Sequence, residues 1–224
     1  MTVIELVNVS KTYDKAEILS NMNLKVEQGE MIAIIGESGK GKTTLLNIIG
    51  LISKKQRGDL TLFGKKNPSI HSKEAMMLRR ERIGYLFQNY GLVDDETVKW
   101  NLHLALEYKK LSKKEKEERI DSLLNDFGLA YLKNKMIYQL SGGEQQRIAI
   151  IRLILQESDL ILADEPTASL DAENEQTILK YLKQLNEQGK TIVVVTHNKD
   201  ILPYFSRVIS LNDMYVKKSK SAIS

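Results

Sequence analysis

Cysteine is missing from all 224 residues, which excludes disulfides and thiolate metal sites and fits a reducing compartment. Long apolar runs are missing too. The densest, Ile148-Ala-Ile-Ile-Arg-Leu-Ile-Leu155, is interrupted by Arg152 and is too short for a bilayer core of about 30 Å. The first residues lack the basic-then-apolar layout of a secretory leader, since Thr2-Val-Ile-Glu-Leu-Val7 alternates like a strand. No internal repeat is visible. Charge is nearly balanced, with 33 basic against 29 acidic side chains and a net charge of +4. A membrane surface or nucleic acid would suit that excess, but it reads as a mildly basic solvated surface, and no nucleic-acid partner is expected.

What the chain does have is alternation. Its length is enough to bury a core as one large domain or two small ones. Ile4 to Val9 and Ile18 to Val26 read as strands around a turn at Asp14-Lys15, Gln28-Gly29-Glu30 as a turn, and Leu60 to Phe63 as a short strand closed by Gly64. Together they predict a small antiparallel sheet. Thr97 to Phe127 reads as helical, with Ser112 able to cap, Glu115 at the capping-box position, and Ile120, Leu123, Leu124 and Phe127 on one face before the stop at Gly128. The run Lys113 to Arg119 is the wet side of that helix. Then Leu160 to Ala163, a helix from about Ala172 to Asn186, Thr191 to Thr196, and Val208 to Leu211 alternate as in a parallel sheet covered on both faces. The fold class is therefore α/β.

The chemistry concentrates in three places. Gly36-Glu37-Ser38-Gly39-Lys40-Gly41-Lys42-Thr43-Thr44 follows the apolar Met31 to Ile35 and precedes Leu45 to Ile49, an order of strand, glycine-rich turn and helix. In that context G-x-x-x-x-G-K-[S/T] is a phosphate cradle. Backbone N–H groups converge on an anion at the positive end of a helix, Lys42 reaches the terminal phosphates, and the Thr43 hydroxyl ligates Mg²⁺. The second place, Leu160 to Asp164 and Glu165, is a buried strand that delivers two acids to the sheet's carboxyl edge, where open α/β sheets bind ligands. Asp164 is suited to Mg²⁺ alongside Thr43. Because strand side chains alternate, Glu165 points elsewhere, toward an attacking water. The third, Ser141-Gly142-Gly143-Glu144, opens a helix with a hydroxyl and unobstructed N–H groups. By itself it is either an N-cap behind a turn or a second anion contact.

Taken together and in order, these motifs resemble the nucleotide-binding subunit of an ABC transporter, over about Val3 to Leu211. The order is the phosphate loop, Gln88 in Tyr85-Leu-Phe-Gln88, the signature from Leu140 to Glu144, Asp164-Glu165, Ala168-Ser-Leu-Asp171, and His197 after Thr191 to Thr196. The resemblance implies an ABC-type fold: a RecA-like parallel core, an antiparallel β subdomain and a helical signature subdomain at about 89–158. It also implies a single domain over 2–216 and a flexible basic tail at 217–224. It implies a Mg²⁺-dependent ATPase in which Tyr13 stacks on adenine and Gln88 contacts the metal and the attacking water. Glu165 is then the general base and His197 contacts the γ-phosphate. Ser141 and Gly143 close over the nucleotide of a second copy, with Asp171 in the loop between the two sites. The implied partners are an ATP-dependent homodimer and an integral-membrane permease, which would keep the chain cytoplasmic on the inner face of the membrane.

Two positions depart from the family pattern. Lys40 stands where a small residue is usual and either tightens phosphate binding or points to solvent, the solvent reading being favoured because Lys42 already supplies the charge. Glu144 replaces glutamine, a variant the family also uses. The run Leu78 to Gln88 and Asn89 to Asn101 resembles the branch that exports lipoproteins, macrolides and bacteriocins or confers resistance to peptides. After Gln88, the residues Tyr90, Leu92, Val93 and Trp100 read equally as a permease groove or as local core. The resemblance also admits a permease-like signalling complex acting on the cell wall, or a soluble ATPase of the same superfamily.

Overall fold

The computed structural model describes residues 1–14, 16–37, 39–168 and 170–214; Lys15, Ser38, Ser169 and the tail expected at 217–224 lie outside the described residues. Strands β1 (Thr2–Tyr13) and β2 (Ala16–Glu27) pair antiparallel, and β3 (Met31–Ile35) runs into α1 (Lys42–Ile49). Next come β4 (Arg57–Leu62), β5 (Lys65–Lys66), α2 (Lys73–Glu81) and β6 (Ile83–Leu86). Helices α3 (Val98–Leu106), α4 (Lys113–Asp126) and α5 (Gly142–Gln156) lead to β7 (Leu160–Asp164), α6 (Ala172–Glu187), β8 (Thr191–Thr196) and β9 (Arg207–Ser210). The strands form an antiparallel sheet in the order β2-β1-β4-β5 and a parallel sheet in the order β6-β7-β8-β3-β9.

Apolar strands make the parallel sheet because both of its faces are covered, so period-2 alternation becomes alternation between two cores. Ile32, Ile34, Leu160, Leu162, Val193 and Val195 pack with α1 and the antiparallel sheet. Their neighbours Ala33, Ile161, Ala163, Ile192 and Val194 pack with α3, α4, α5 and α6. Polar groups have no place inside such a sheet except at its ends. Register aligns those ends: Ile35 sits opposite Thr196, Asp164 opposite Val195, and Leu86 opposite Ala163.

One expectation is corrected. Thr97 to Phe127 is two helices rather than one helical stretch, since α3 stops at Leu106 and α4 starts at Lys113. The break has a local cause in the capping box at Ser112. Glu115 N–H donates to the Ser112 hydroxyl (3.2 Å), and Ser112 N–H donates to the Glu115 carboxylate (2.7 Å), which fixes a fresh helix start. These bonds also hold the Glu115 carboxyl below its ordinary pKa. Gly128, at φ +66°, ends the helix as expected.

Replacing Ser112 by Ala removes one arm of that box on an exposed surface. We expect the substitution to lower the unfolding free energy by about 1 kcal/mol in urea titration without altering any property of the parallel sheet's carboxyl edge.

Candidate functional site

Four parallel strands end in one row, and the residues just beyond them enclose a cavity of about 400 Å³. Gly39, Gly41, Lys42, Thr43 and Thr44 form its floor, Gln88 comes from the segment after β6, Asp164 and Glu165 from the end of β7, and His197 from the end of β8. Tyr13, half-exposed, stands at the mouth with its hydroxyl 3.2 Å from Ser53 Oγ and the Lys11 ammonium 4.5 Å from its ring centre.

The floor follows from backbone geometry. Gly41 is the N-cap of α1 at φ +95°, and a Cβ there would lie 2.9 Å from Ile18 and Leu19 side chains, so only glycine fits. Helix α1 therefore begins facing the cavity with its free N–H groups. Lys42 is buried at 7% exposure, and its ammonium donates to the Gly36 (2.8 Å) and Glu37 (3.0 Å) carbonyls, 3.9 Å from Glu165 Oε1. Glu37 and Lys40 instead face solvent, paired at 3.6 Å with side chains 81% and 62% exposed. Lys40 thus takes the solvent-facing alternative.

Asp164 ends β7 at 5% exposure. Burial pushes its carboxyl above the usual aspartate pKa and the Glu165 charge adds to the rise, while a Thr43 hydrogen bond and the Lys42 charge oppose it. The two acids meet different groups, Asp164 the Thr43 hydroxyl and Glu165 the His197 ring, but strand alternation is not the reason, because β7 ends at Asp164. Glu165 adopts φ +47°, left-handed for a residue with a Cβ, and this kink turns its carboxylate toward His197. His197 Nδ1 lies 2.9 Å from Glu165 Oε1, and the His197 backbone N–H donates to Oε2 at 3.3 Å. Glu165 is thus held from both sides, by Lys42 and by His197.

The donor set fits a hard cation poorly as a cage and well as a shared ligand. Among the described residues no cluster of three or more His, Asp or Glu stands at metal-holding spacing. One hydroxyl and one carboxylate at Thr43 and Asp164 suit Mg²⁺ that takes its remaining oxygens from phosphates and water.

The signature residues do not line this cavity. Ser141 caps α5, and Glu144 closes the box by accepting from Ser141 N–H (2.7 Å) and from its hydroxyl (2.8 Å). The S-x-x-E spacing was visible in sequence, but the further bond from the Tyr131 hydroxyl (2.8 Å) was not. A Cβ on Gly142 would lie 3.1 Å from the Tyr90 hydroxyl, and one on Gly143 would lie 3.1 Å from Asn174. Asp171 caps α6, accepting from Asn174 N–H at 2.8 Å, also outside the cavity. Sequence reading also missed Ile18 in the cavity wall and Gln146, 3% exposed, which donates to the Pro166 carbonyl at 2.5 Å just behind Glu165. A lone glutamine inside a helix carries no signal for such a contact.

A second, larger cavity of about 690 Å³ lies between α2 and α3, with Met76, Arg79, Leu104, Tyr108 and Arg152 among its walls. The segment after Gln88 divides here: Tyr90 and Leu92 pack against the core, whereas Val93 and Trp100 are exposed. Trp100 and Leu104 are exposed one turn apart on α3, and Tyr108, just past the end of that helix, is exposed beside them in sequence. No helix among the described residues is long and apolar enough to cross a membrane.

Comparison with known proteins gives consistent matches. Residues 19–168 match the family described as ABC transporter. The macrolide export ATP-binding/permease protein MacB of Psychrobacter cryohalolentis is 41% identical over 199 residues, 89% of this chain but 30% of that protein. The bacitracin export ATP-binding protein BceA of Halalkalibacterium halodurans is 37% identical over 218 residues, 95% of this chain and 86% of its own length. The chain thus spans about a third of the macrolide-export relatives it matches and most of the bacitracin-export one. Among solved structures, the dimeric structure of MJ0796, a bacterial ABC transporter cassette, matches with a TM-score of 0.87 at 38% identity, covering 96% of this chain and 97% of that one. A second dimeric structure of MJ0796, in a post-hydrolysis state bound to ADP and Pi, also gives 0.87, at 36% identity and the same coverage.

The raised carboxyl at Asp164 has a measurable consequence. A buried acid with a raised folded pKa costs nothing where it is protonated in both states, below the unfolded value, and costs stability as pH rises through the folded value. Asp164→Asn should therefore raise the unfolding midpoint of the ligand-free protein at neutral pH, and the gain should fade as pH drops toward the ordinary aspartate range, read by thermal melts across pH.

Proposed function

The chain belongs to the ABC transporter family, and on that premise we propose that it binds and hydrolyses ATP to drive a separate membrane permease, in export of or resistance to peptides or lipophilic compounds. The observation that carries the reading is the Glu165 carboxylate. It is 11% exposed, and the His197 ring (2.9 Å) and the Lys42 ammonium (3.9 Å) hold it over a glycine-rich floor built for phosphate.

The chain's own groups divide the work. The N–H groups at the start of α1 and the Lys42 ammonium receive the phosphates, for which Lys42 must exchange its bonds to the Gly36 and Glu37 carbonyls. Tyr13 offers a ring at the cavity mouth for the adenine. Thr43, Asp164 and Gln88 would hold Mg²⁺, which when bound spreads the charge of the phosphates during in-line attack. Glu165 orients a water toward the γ-phosphorus and takes its proton. His197 keeps that carboxylate turned inward and lines the same cavity, where its ring would contact the γ-phosphate.

Ser141, Gly142 and Gly143 stand apart from the cavity, which suits a site completed by the signature of a second copy, with Asp171 between the two. The domain then covers 2–216 with a helical insertion at about 89–158. The groove walled by Met76, Leu104 and Tyr108 is the surface we assign to the permease's segment at the inner membrane face, in place of the inward-turned Tyr90 and Leu92.

Glu165→Gln tests the reading. Turnover of Mg-ATP should fall at least about 100-fold while ATP affinity stays within a few-fold and an ATP-bound dimer accumulates on sizing chromatography. Parental turnover would remove Glu165 from its role. Lys42→Ala should instead abolish nucleotide binding in equilibrium titration, and undiminished affinity there would refute the phosphate cradle.

A further inference from the structure

Arg152 interrupts the most apolar stretch of the chain and takes no direct part in the hydrolysis just described. It sits on α5, ten residues after the helix begins at Gly142, and is largely withdrawn from water, so that burial presses its pKa below the usual guanidinium value. An arginine stays charged in such a place, so its burial costs free energy unless the charge is matched. Both of its hydrogen bonds go to backbone carbonyls of the segment that follows Gln88: one to Gly91, the other to Tyr90 at 3.0 Å.

That segment is unusual. Tyr90 at φ +63° and Gly91 at φ +62° are left-handed in succession, which turns both carbonyls toward α5. A Cβ on Gly91 would lie 2.5 Å from the Phe87 ring and 3.3 Å from Arg152 Nη2. Farther along, buried Asn101 of α3 accepts from Val93 N–H (2.8 Å) and donates to its carbonyl (3.1 Å). Gln88 thus begins a loop tied at its near end to the signature helix and at its far end to α3. Arg152 also forms part of the wall of the groove between α2 and α3. At the start of the same helix, Gly142 lies against the Tyr90 hydroxyl.

We propose that Arg152 is a positioning residue for hydrolysis: from the signature helix it fixes the turn after Gln88 and so holds Gln88 in place in the nucleotide cavity. The inference rests on the proposed ATPase reading. A fixed guanidinium fork reaches both carbonyls at once, which a single ammonium does not. Misplacing a positioning group by about 1 Å costs on the order of 100-fold in rate without touching the groups that bind substrate.

The test measures ATP affinity by equilibrium titration and turnover by phosphate release for the parent, Arg152→Ala and Arg152→Lys. Arg152→Ala should keep the dissociation constant within about twofold and lose about 10- to 100-fold in kcat, and Arg152→Lys should recover part of that loss. Parental kcat in Arg152→Ala, or loss of affinity in step with kcat, would overturn the proposal. If Arg152→Ala does not fold, Arg152→Lys decides: a lowered kcat at unchanged affinity supports the assignment and an unchanged kcat overturns it. A parent chain that neither binds nor hydrolyses Mg-ATP would sink the ATPase reading itself, an outcome distinct from failure of Arg152 alone.

Discussion

The parallel sheet is apolar on both faces, so charged groups gather beyond the carboxyl ends of its strands. Asp164 ends β7, and Glu165, His197, Gln88 and the phosphate loop come from chain that has just left β7, β8, β6 or β3. Register brings these exits into one row, and the two cores above and below hold it rigid. The cavity is therefore a consequence of packing, since a strand shifted by one residue would exchange the faces of its side chains and break both cores.

Within the row, strain and burial are spent on geometry. Glu165 accepts a left-handed backbone, and its carboxylate meets His197 and Lys42. Asp164 is left in a site that penalises its charge. Lys42 is held by two carbonyls that a phosphate would have to displace. The Glu165 backbone and the buried Asp164 charge cost some stability in the ligand-free chain, as expected where a site is organised in advance for charged ligands, while the two carbonyl bonds offset the burial of the Lys42 ammonium.

The helices connect this row to the rest of the molecule. Helix α5 starts at the signature, bonds to the loop behind Glu165 through Gln146, and bonds to the turn after Gln88 through Arg152. One rigid element therefore touches the chain on both sides of the nucleotide cavity. The two cavities, one polar and one rimmed by apolar and basic side chains, are linked through Arg152, which lines the larger one and bonds to the loop that begins at Gln88 in the smaller one.

The sequence alone determined the parts whose signal is local. The strand-turn-helix around Gly36 to Thr44, the apolar strands ending in acids, the cap at Ser112 and the stop at Gly128 were legible because each depends on neighbours within a few residues. The tertiary structure alone decided which distant groups meet. Glu165 with His197, Gln146 with Pro166, and Arg152 with Tyr90 and Gly91 are separated along the chain and joined by strand order and helix packing. It also turned Tyr90 and Leu92 inward while leaving Trp100 outside. The division has one physical cause: backbone preference acts between adjacent residues, whereas burial and register are settled only when the two cores close around the sheet.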